Sequence, residues 1–550
     1  TLALFAEGDR IYALDNRCPH MGFPLHRGTL RDGLLTCHWH HARFDPRTGG
    51  AFDLWADDLI VFPVEIRGDE VWVNLRPSRD WRTQAWGRLE DGLKHDLPLV
   101  LAKSILRLLD LGEDPVAIFR VGLDFGVRHR QAGWGPGLTI LTAMMNMLSH
   151  LDPRDRPRAL YHGLNAVAAD SADAPFRFPV RPLPGPPPDP ERLRRWFRQF
   201  VEVRDAEGAE RCLASAVEAG WSPAAIAEMI FAAATDHRYL SAGHALDFAN
   251  KAFEALEIAG WDHAGSVLTS LVPVLANGER MEENAAWRHP VDLVALLERA
   301  FEALPTLPSV GRSADGKWIG QEALLPVLLG EDPEAILEAL LEALRKGATW
   351  EELAGTVAAA AAVRIARFSL HNEFGDWDTA LHTFSFANAV HQAMRRFPSL
   401  ALLRGVFDAA MSVYLDRFLN IPPAPLPEPG AGIEDPDELE TILTTLLNQQ
   451  AAVQEVASTV AGYLHTGKET GPLLAALGHA LLREDRNFHT IQMMEAAFRQ
   501  FSVWRGTSLG NIVLIAAARY LAAHAPTRRA QEQTYRIAER LHRGERLYEE

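Results

Sequence analysis

Two of the chain's three cysteines stand in one short stretch, CPHMGFPLHRGTLRDGLLTCHWHHARFD at residues 18–45, with His20, His26, His38, His40 and His41. The pattern is Cys18-x-His20, sixteen intervening residues, then Cys37-x-x-His40. Thiolates and imidazoles bind both iron and zinc, so residue type alone leaves the metal open. Zinc sites with this inventory usually pair Cys with Cys and His with His in each local arm, whereas each arm here supplies one of each. Mixed arms suit a two-iron cluster in which both cysteines take one iron and both histidines the other. His26, His38 and His41 fall outside the ligand spacing and read as loop or surface residues.

On these residues the sequence resembles the Rieske iron–sulfur family, from about Thr1 to Leu75. "CPHMG" and "CHWHHARFD" match its two cluster-binding loops, and "TGGAFDLWADDLIVFPVEIRGDEVWV" is similar to its closing strands. The resemblance implies a [2Fe-2S] cluster on Cys18, His20, Cys37 and His40, and a role in electron transfer. Respiratory members of the family carry an extra Cys in each loop; "HMGFP" and "HHARF" have none. The likeness is therefore to the ferredoxin and oxygenase branch, with potentials toward the low end of the Rieske range. His41 stands where the family usually has Gly.

Such loops need a rigid frame. "LALFAEGDRIYALD" reads as two strands around an acidic-Gly turn, and "VFPVEIRGDEVWVNL" as a second hairpin bending at Gly-Asp. From about Leu97 the chain turns Ala- and Leu-rich with helical spacing. The expected fold is multidomain: a small all-β domain at 1–76, a polar linker at 77–96, and a large all-α domain of duplicated helical repeats. Residues 108–140 align without gaps to 216–248, and the pattern restarts at 343–368 and 463–491. Each unit reads as a helix, a Gly turn, a second helix and a third. Two units make a first half at 97–310 and two a second at 311–550. The unit resembles, over about thirty residues, the alkylhydroperoxidase D and carboxymuconolactone decarboxylase group. The Cys-x-x-Cys pair of that group's redox members is absent, so no function is carried over.

The repeats sort the histidines. One aligned position holds His129, His237, Arg364 and Glu484; the next, opening the third helix, holds Pro136, His244, His382 and His489. An insertion, "SLHNEFGDWD", adds His371, Glu373, Asp376 and Asp378 beside His382. Repeat-equivalent positions tend to face a common axis, so His237, His244, His371, Glu373, His382 and His489 are the catalytic or second-metal candidates. They would form a second iron site or hold a haem inside the helical domain. The competing reading is that each caps or hydrogen-bonds locally and descends with the repeat. Aromatics at the same junctions suit a pocket for a small organic substrate.

A net charge of −17 speaks against nucleic acid as a partner, since phosphate binding needs excess Lys and Arg. Three cysteines cannot build a disulfide framework, and no apolar run reaches membrane-spanning length, so a cytoplasmic protein without membrane contact is expected. The opening "TLALFAEGDR" reads as a trimmed strand pair rather than a leader. The leading functional expectation is a Rieske oxidoreductase, an oxygenase in type. A ferredoxin or reductase would supply its electrons, and homo-oligomers are compatible with it. The alternatives are an electron carrier or redox sensor with a helical binding module, and a helical acid–base enzyme with a regulatory Rieske domain.

Overall fold

Strands end at Val73, and among the described residues every later regular element is helical. The computed structural model describes residues 1–76, 80–186, 188–307, 318–428 and 435–547. The expected boundary between the two helical halves, at 310/311, lies outside them.

In the β-domain, β1 (Leu2–Glu7) and β2 (Arg10–Asp15) form an antiparallel hairpin, and β2 also pairs with β6 (Val61–Phe62). A second sheet holds β3 (Thr29–Arg31), β4 (Leu34–Thr36) and β5 (Arg43–Phe44); β7 (Val64–Arg67) and β8 (Glu70–Val73) close the domain. Leu14, Leu25, Leu35 and Phe44 form its core, and Cys18 and Cys37 are buried in the same cluster.

The stretch read as a linker is largely a helix, α1 (Trp81–Lys94). Asp80 caps it by accepting from the amides of Arg82 and Thr83, and its Leu89 and Leu93 are buried. The polar composition that suggested a linker belongs to its outer face and to a charged contact. Arg88 donates to Asp57 at 2.9 Å and to the carbonyls of Leu54 and Ala56 at 2.7 and 3.2 Å. From α2 (Pro98–Asp110), Lys103 pairs with Asp57 and donates to the Pro19 carbonyl at 2.9 Å. The first cluster loop is thereby fastened to the helical domain.

The first helical unit continues α2 with α3 (Pro115–Arg128) and α4 (Pro136–Met147), backed by α5 (Arg156–Ser171). After α6 (Pro190–Glu202), the second unit is α7 (Ala206–Glu218), α8 (Pro223–Ala234) and α9 (His244–Ala259). Then come α10 (Ala264–Thr269), α11 (Val272–Asn277), α12 (Leu293–Ala303) and α13 (Gln321–Leu328). The third unit is α14 (Pro333–Arg345), α15 (Trp350–Ala366) and α16 (Phe374–Arg396), backed by α17 (Leu400–Leu415). After α18 (Pro436–Leu446), the fourth is α19 (Val453–His465), α20 (Gly471–Leu482) and α21 (Phe488–Val503), backed by α22 (Ser508–Ala523). Helix α23 (Ala530–His542) returns to pack on α2. The first two helices of each unit join through Gly112, Gly220, Gly347 or Gly467, with φ of 80°, 70°, 91° and 70°. A side chain is disfavoured at such angles, so glycine recurs at this position.

The third helices form the centre. α4 packs on α9, α9 on α16, α16 on α21, and α21 back on α4. Charges are buried inside this ring. Lys251 Nζ lies 3.0 Å from Glu254 and 2.7 Å from Glu495, all three about 1% exposed. Asn146 donates to both carboxylates at 2.8 Å, and Arg396 and Arg499 reach Glu254 at 3.2 and 2.8 Å. Burial pushes Glu254 up, but Lys251, Arg499 and Arg396 together hold it well below the usual carboxylate range.

Lys251→Met removes the central cation and leaves two buried carboxylates with less compensation. It should lower stability by about 3–5 kcal/mol, seen as a large fall in the thermal unfolding midpoint. A midpoint within a degree or two of wild type would show that the ions do not hold the ring.

Candidate functional site

Two loops project side by side from the β-domain. The first follows β2 and closes through Cys18 N–H to the Phe23 carbonyl at 2.8 Å and Gly22 N–H to the Cys18 carbonyl at 2.7 Å. The second lies between β4 and β5, with Cys37 N–H to the Ala42 carbonyl at 2.9 Å. The backbone amides of His20 and Met21 point at the Cys18 sulfur, and those of Trp39 and His40 at the Cys37 sulfur. The two thiols face each other: hydrogen bonding from Cys18 holds Cys37 down to about 6, and the same contact pushes Cys18 up. Their rings close by, His20 and His40 have centroids 4.8 Å apart, and His20 packs edge-on against Trp55 at 4.5 Å. Burial, with the nearby Lys103 charge, pushes His20 down to about 4.

The arrangement fits a two-iron cluster. Two thiols converge with two imidazoles, amides are aimed at the sulfurs, and His20 Nδ1 is buried without a protein partner. His40 is exposed, which leaves one edge of the site open to an outside partner. The other histidines are engaged elsewhere: His26 with Asn16 and His38 with Thr29. His41 has φ 62°, the left-handed conformation that makes glycine the favoured residue there.

A second constellation lies in the helical domain. His244 opens α9, His489 is the second residue of α21, and His382 lies within α16. The insertion makes α16 start two turns early, at a Glu373–Asp376 capping box, so His382 does not open its helix as the repeat alignment suggests. Ring centroids are 4.7 Å apart for His244–His382 and His382–His489, and 5.9 Å for His244–His489. One nitrogen of each ring can be chosen so that all lie within 4.8 Å of one another, and His382 Nε2 and His489 Nε2 are 3.0 Å apart. The His382–His489 contact is a hydrogen bond as the rings stand, and its length also falls in the roughly 2.9–3.4 Å range of two nitrogens each about 2.0–2.1 Å from one ion. Burial, with the neighbouring imidazoles, pushes His244 down to about 3 and His382 to about 4. His244 Nδ1 is buried without a partner.

Behind the trio, Asp378 Oδ2 lies 3.4 Å from His489 Nδ1, and the Tyr520 hydroxyl donates to its Oδ1 at 2.5 Å. His524 Nε2 stands 3.6 Å from the same oxygen. A carboxylate behind an imidazole fixes the tautomer and turns the other nitrogen toward the centre. On the opposite side, the loop before His244 holds Tyr239, Ser241 and Ala242 at φ 49°, 53° and 51°, followed by Gly243 at 88°. A Cβ on Gly243 would meet Phe386 Cβ at 2.7 Å. Left-handed backbone at non-glycine residues is held against a local cost, and such strain clusters at functional sites.

The remaining candidates do not join the trio. His237 is bound between Glu282 (2.6 Å) and Glu202 (2.8 Å), because its position ends the second helix rather than facing the ring axis. His371 is exposed, and Glu373 is used as a helix cap. The sequence patterns do not single out Asp378, Tyr520 or His524 as site residues. Only the acid-rich insertion signalled the first; for Tyr520 and His524, no sequence pattern did.

The Rieske [2Fe-2S] domain family matches residues 1–59. Human apoptosis-inducing factor 3 is 38% identical over 71 residues, 13% of this chain and 12% of its own length. The 3-phenylpropionate/cinnamic acid dioxygenase ferredoxin subunit of Escherichia coli K12 is 36% identical over 76 residues, 14% of this chain and 72% of that protein. Its Shigella boydii serotype 4 (strain Sb227) counterpart has the same identity and coverage. Through its N-terminal domain the chain belongs to the Rieske [2Fe-2S] family and carries that family's cluster. It spans about an eighth of apoptosis-inducing factor 3 and most of the ferredoxin subunits, and these matches do not extend the alkylhydroperoxidase D resemblance of the helical units. No solved structure matches the chain. Among the described residues no helix is long and apolar enough to cross a membrane.

His41→Gly should relieve the left-handed strain and raise the thermal stability of the β-domain by about 1 kcal/mol, with the visible absorption of the cluster unchanged. A lowered midpoint would mean that the imidazole is needed where it stands.

Proposed function

We propose that the protein is a Rieske oxidoreductase of oxygenase type, in which the N-terminal cluster feeds electrons to a metal ion held by His244, His382 and His489. The observation that carries the reading is the convergence of three imidazoles from three helices, with the Asp378 carboxylate behind one of them. A haem needs a broad planar space at its ligand; three imidazoles with nitrogens within 4.8 Å suit a single ion instead.

An iron ion there would supply the one-electron redox chemistry that a Rieske cluster serves. The chain's own residues do the rest. Asp378 accepts a hydrogen bond from His489 Nδ1 and orients the ring, while the Tyr520 hydroxyl donates to Asp378 and holds it in place. Inserting one oxygen atom of dioxygen into a substrate C–H bond takes two electrons and two protons and releases one water. The cluster passes one electron at a time, so it must be reduced twice per turnover, by a ferredoxin or reductase meeting its exposed His40 edge. The substrate is a small organic molecule in the cavity beside His382. A cytoplasmic setting agrees with the three unpaired cysteines.

A second reading has its own support. The 36%-identical relatives are ferredoxin subunits, and the cluster domain alone accounts for 72% of such a protein. On that reading this chain is an electron carrier with a helical binding module.

Metal analysis of anaerobically purified protein separates the two. The oxygenase reading expects metal beyond the two irons of the cluster. His489→Ala should lose that excess while the spin-resonance signal of the reduced cluster persists; Cys37→Ser should lose the cluster and abolish turnover. Metal equal to the cluster's irons, in both wild type and His489→Ala, would leave the carrier.

A further inference from the structure

Beside the histidine trio lies a cavity of about 420 Å³, with His382 in its wall. Tyr239, Trp287, Tyr414 and Phe418 line it with aromatic faces. Its volume is at the small end of the range for ligand pockets, which suits one or two fused rings.

The wall also carries polar atoms that the chain leaves unpaired. Asp416 is 4% exposed, and its Oδ2 has no hydrogen-bond partner. Tyr239 is 8% exposed, and its hydroxyl is likewise without one. Buried polar atoms are nearly always paired, so two orphans in one cavity wall point to a ligand. The Thr383 hydroxyl approaches both, near enough to pull each down but outside hydrogen-bond geometry, which places them at the same end of the space. Their chemistry differs: a carboxylate oxygen accepts, whereas a phenolic hydroxyl also donates. One ligand hydroxyl can satisfy the two together.

Charge selects against an acid. Arg417, which also lines the cavity, is stacked 3.7 Å from the Tyr414 ring and 3.9 Å from that of Phe418, and donates to the Tyr414 carbonyl at 3.0 Å. Its cation is engaged with the wall, and the same burial that pushes Asp416 up to about 7 disfavours a negative charge on a ligand.

We propose that this cavity binds a small, neutral hydroxylated aromatic molecule, whose hydroxyl donates to Asp416 and accepts from Tyr239. The proposal names the substrate class of the centre described above and rests on that reading for its link to oxidation. The ring would then lie against His382, at the edge of the trio.

Equilibrium dialysis of the full-length protein against 2-naphthol, naphthalene and 2-naphthoate tests the assignment, with and without prior metal removal by a chelator. 2-Naphthol should bind at least about tenfold more tightly than either analogue, because a site built for a hydroxyl is left unpaired by ligands lacking one. Tyr239→Phe and Asp416→Leu should each erase most of that preference while leaving naphthalene binding in place. Should Asp416→Leu fail to fold, Tyr239→Phe alone decides. Equal affinity for naphthol and naphthalene, or a preference untouched by Tyr239→Phe, overturns the proposal. His489 lies outside the cavity wall, so the two readings part cleanly. Hydroxyl preference in a protein holding no second metal supports the cavity assignment and removes only the metal centre. A second metal with no hydroxyl preference overturns the cavity assignment alone.

Discussion

A lysine ammonium enclosed by carboxylates sets the geometry on which the helical domain depends. Lys251 on α9 meets Glu254 on its own helix and Glu495 on α21, and Asn146 from α4 donates to both acids. Desolvating such charges costs several kcal/mol per ion and is offset only in a narrow range of geometries. The rotation and register of α9 and α21 are therefore restricted. His244 lies seven residues before Lys251, within about 20° of two full turns, whereas His489 lies six before Glu495, about 120° short of two turns. The His244 imidazole thus projects from nearly the same helix face as Lys251, and the ion network fixes α9 and α21 about 9–11 Å along their axes from His244 and His489.

How much of this was legible in the sequence depended on whether the partners were local. The cluster loops could be read because each arm holds its Cys and His within four residues. The trio spans 138 and 107 positions, and only the repeat alignment brought it together. Repeat logic failed at the neighbouring aligned position, where His237 found Glu202 and Glu282 instead. It could not foresee that the insertion would lengthen α16 and use Glu373 as a cap while sending Asp378 inward. Nor did the pattern disclose the central ions: Lys251 and Glu254, three apart, look like an exposed helical pair until four helices close around them. The supposed linker shows the same weakness from the other side. One of its polar residues, Arg88, is an anchor for Asp57, and composition does not say what a residue will meet.

The two centres are joined through packed helices rather than by direct contact between their loops. Helix α2 holds the first cluster loop and packs on α5; α5 packs on α4, and α4 on both α9 and α21. At about 8–10 Å per helix pair, this path is three steps long. The cluster site and the trio are therefore spatially separate, with the His40 edge exposed and the trio half-buried among α9, α16 and α21.

The contact at Asp57 has an effect beyond fastening. The half-buried Asp57 carboxylate is shared by two cations, Arg88 and Lys103, and Arg88 also meets Asp91 at 3.0 Å, so two cations and two carboxylates balance beside the first cluster loop. Lys103 also holds the Pro19 carbonyl, within one residue of both Cys18 and His20. Lys103 and Asp57 act on the His20 ring in opposite directions, and the lysine acts more strongly. The helices supplying these cations are absent from the stretch that the ferredoxin subunits share with this chain. The helical domain thus reaches the cluster site through space: part of the electric field at the His20 ring is set by a residue outside the β-domain.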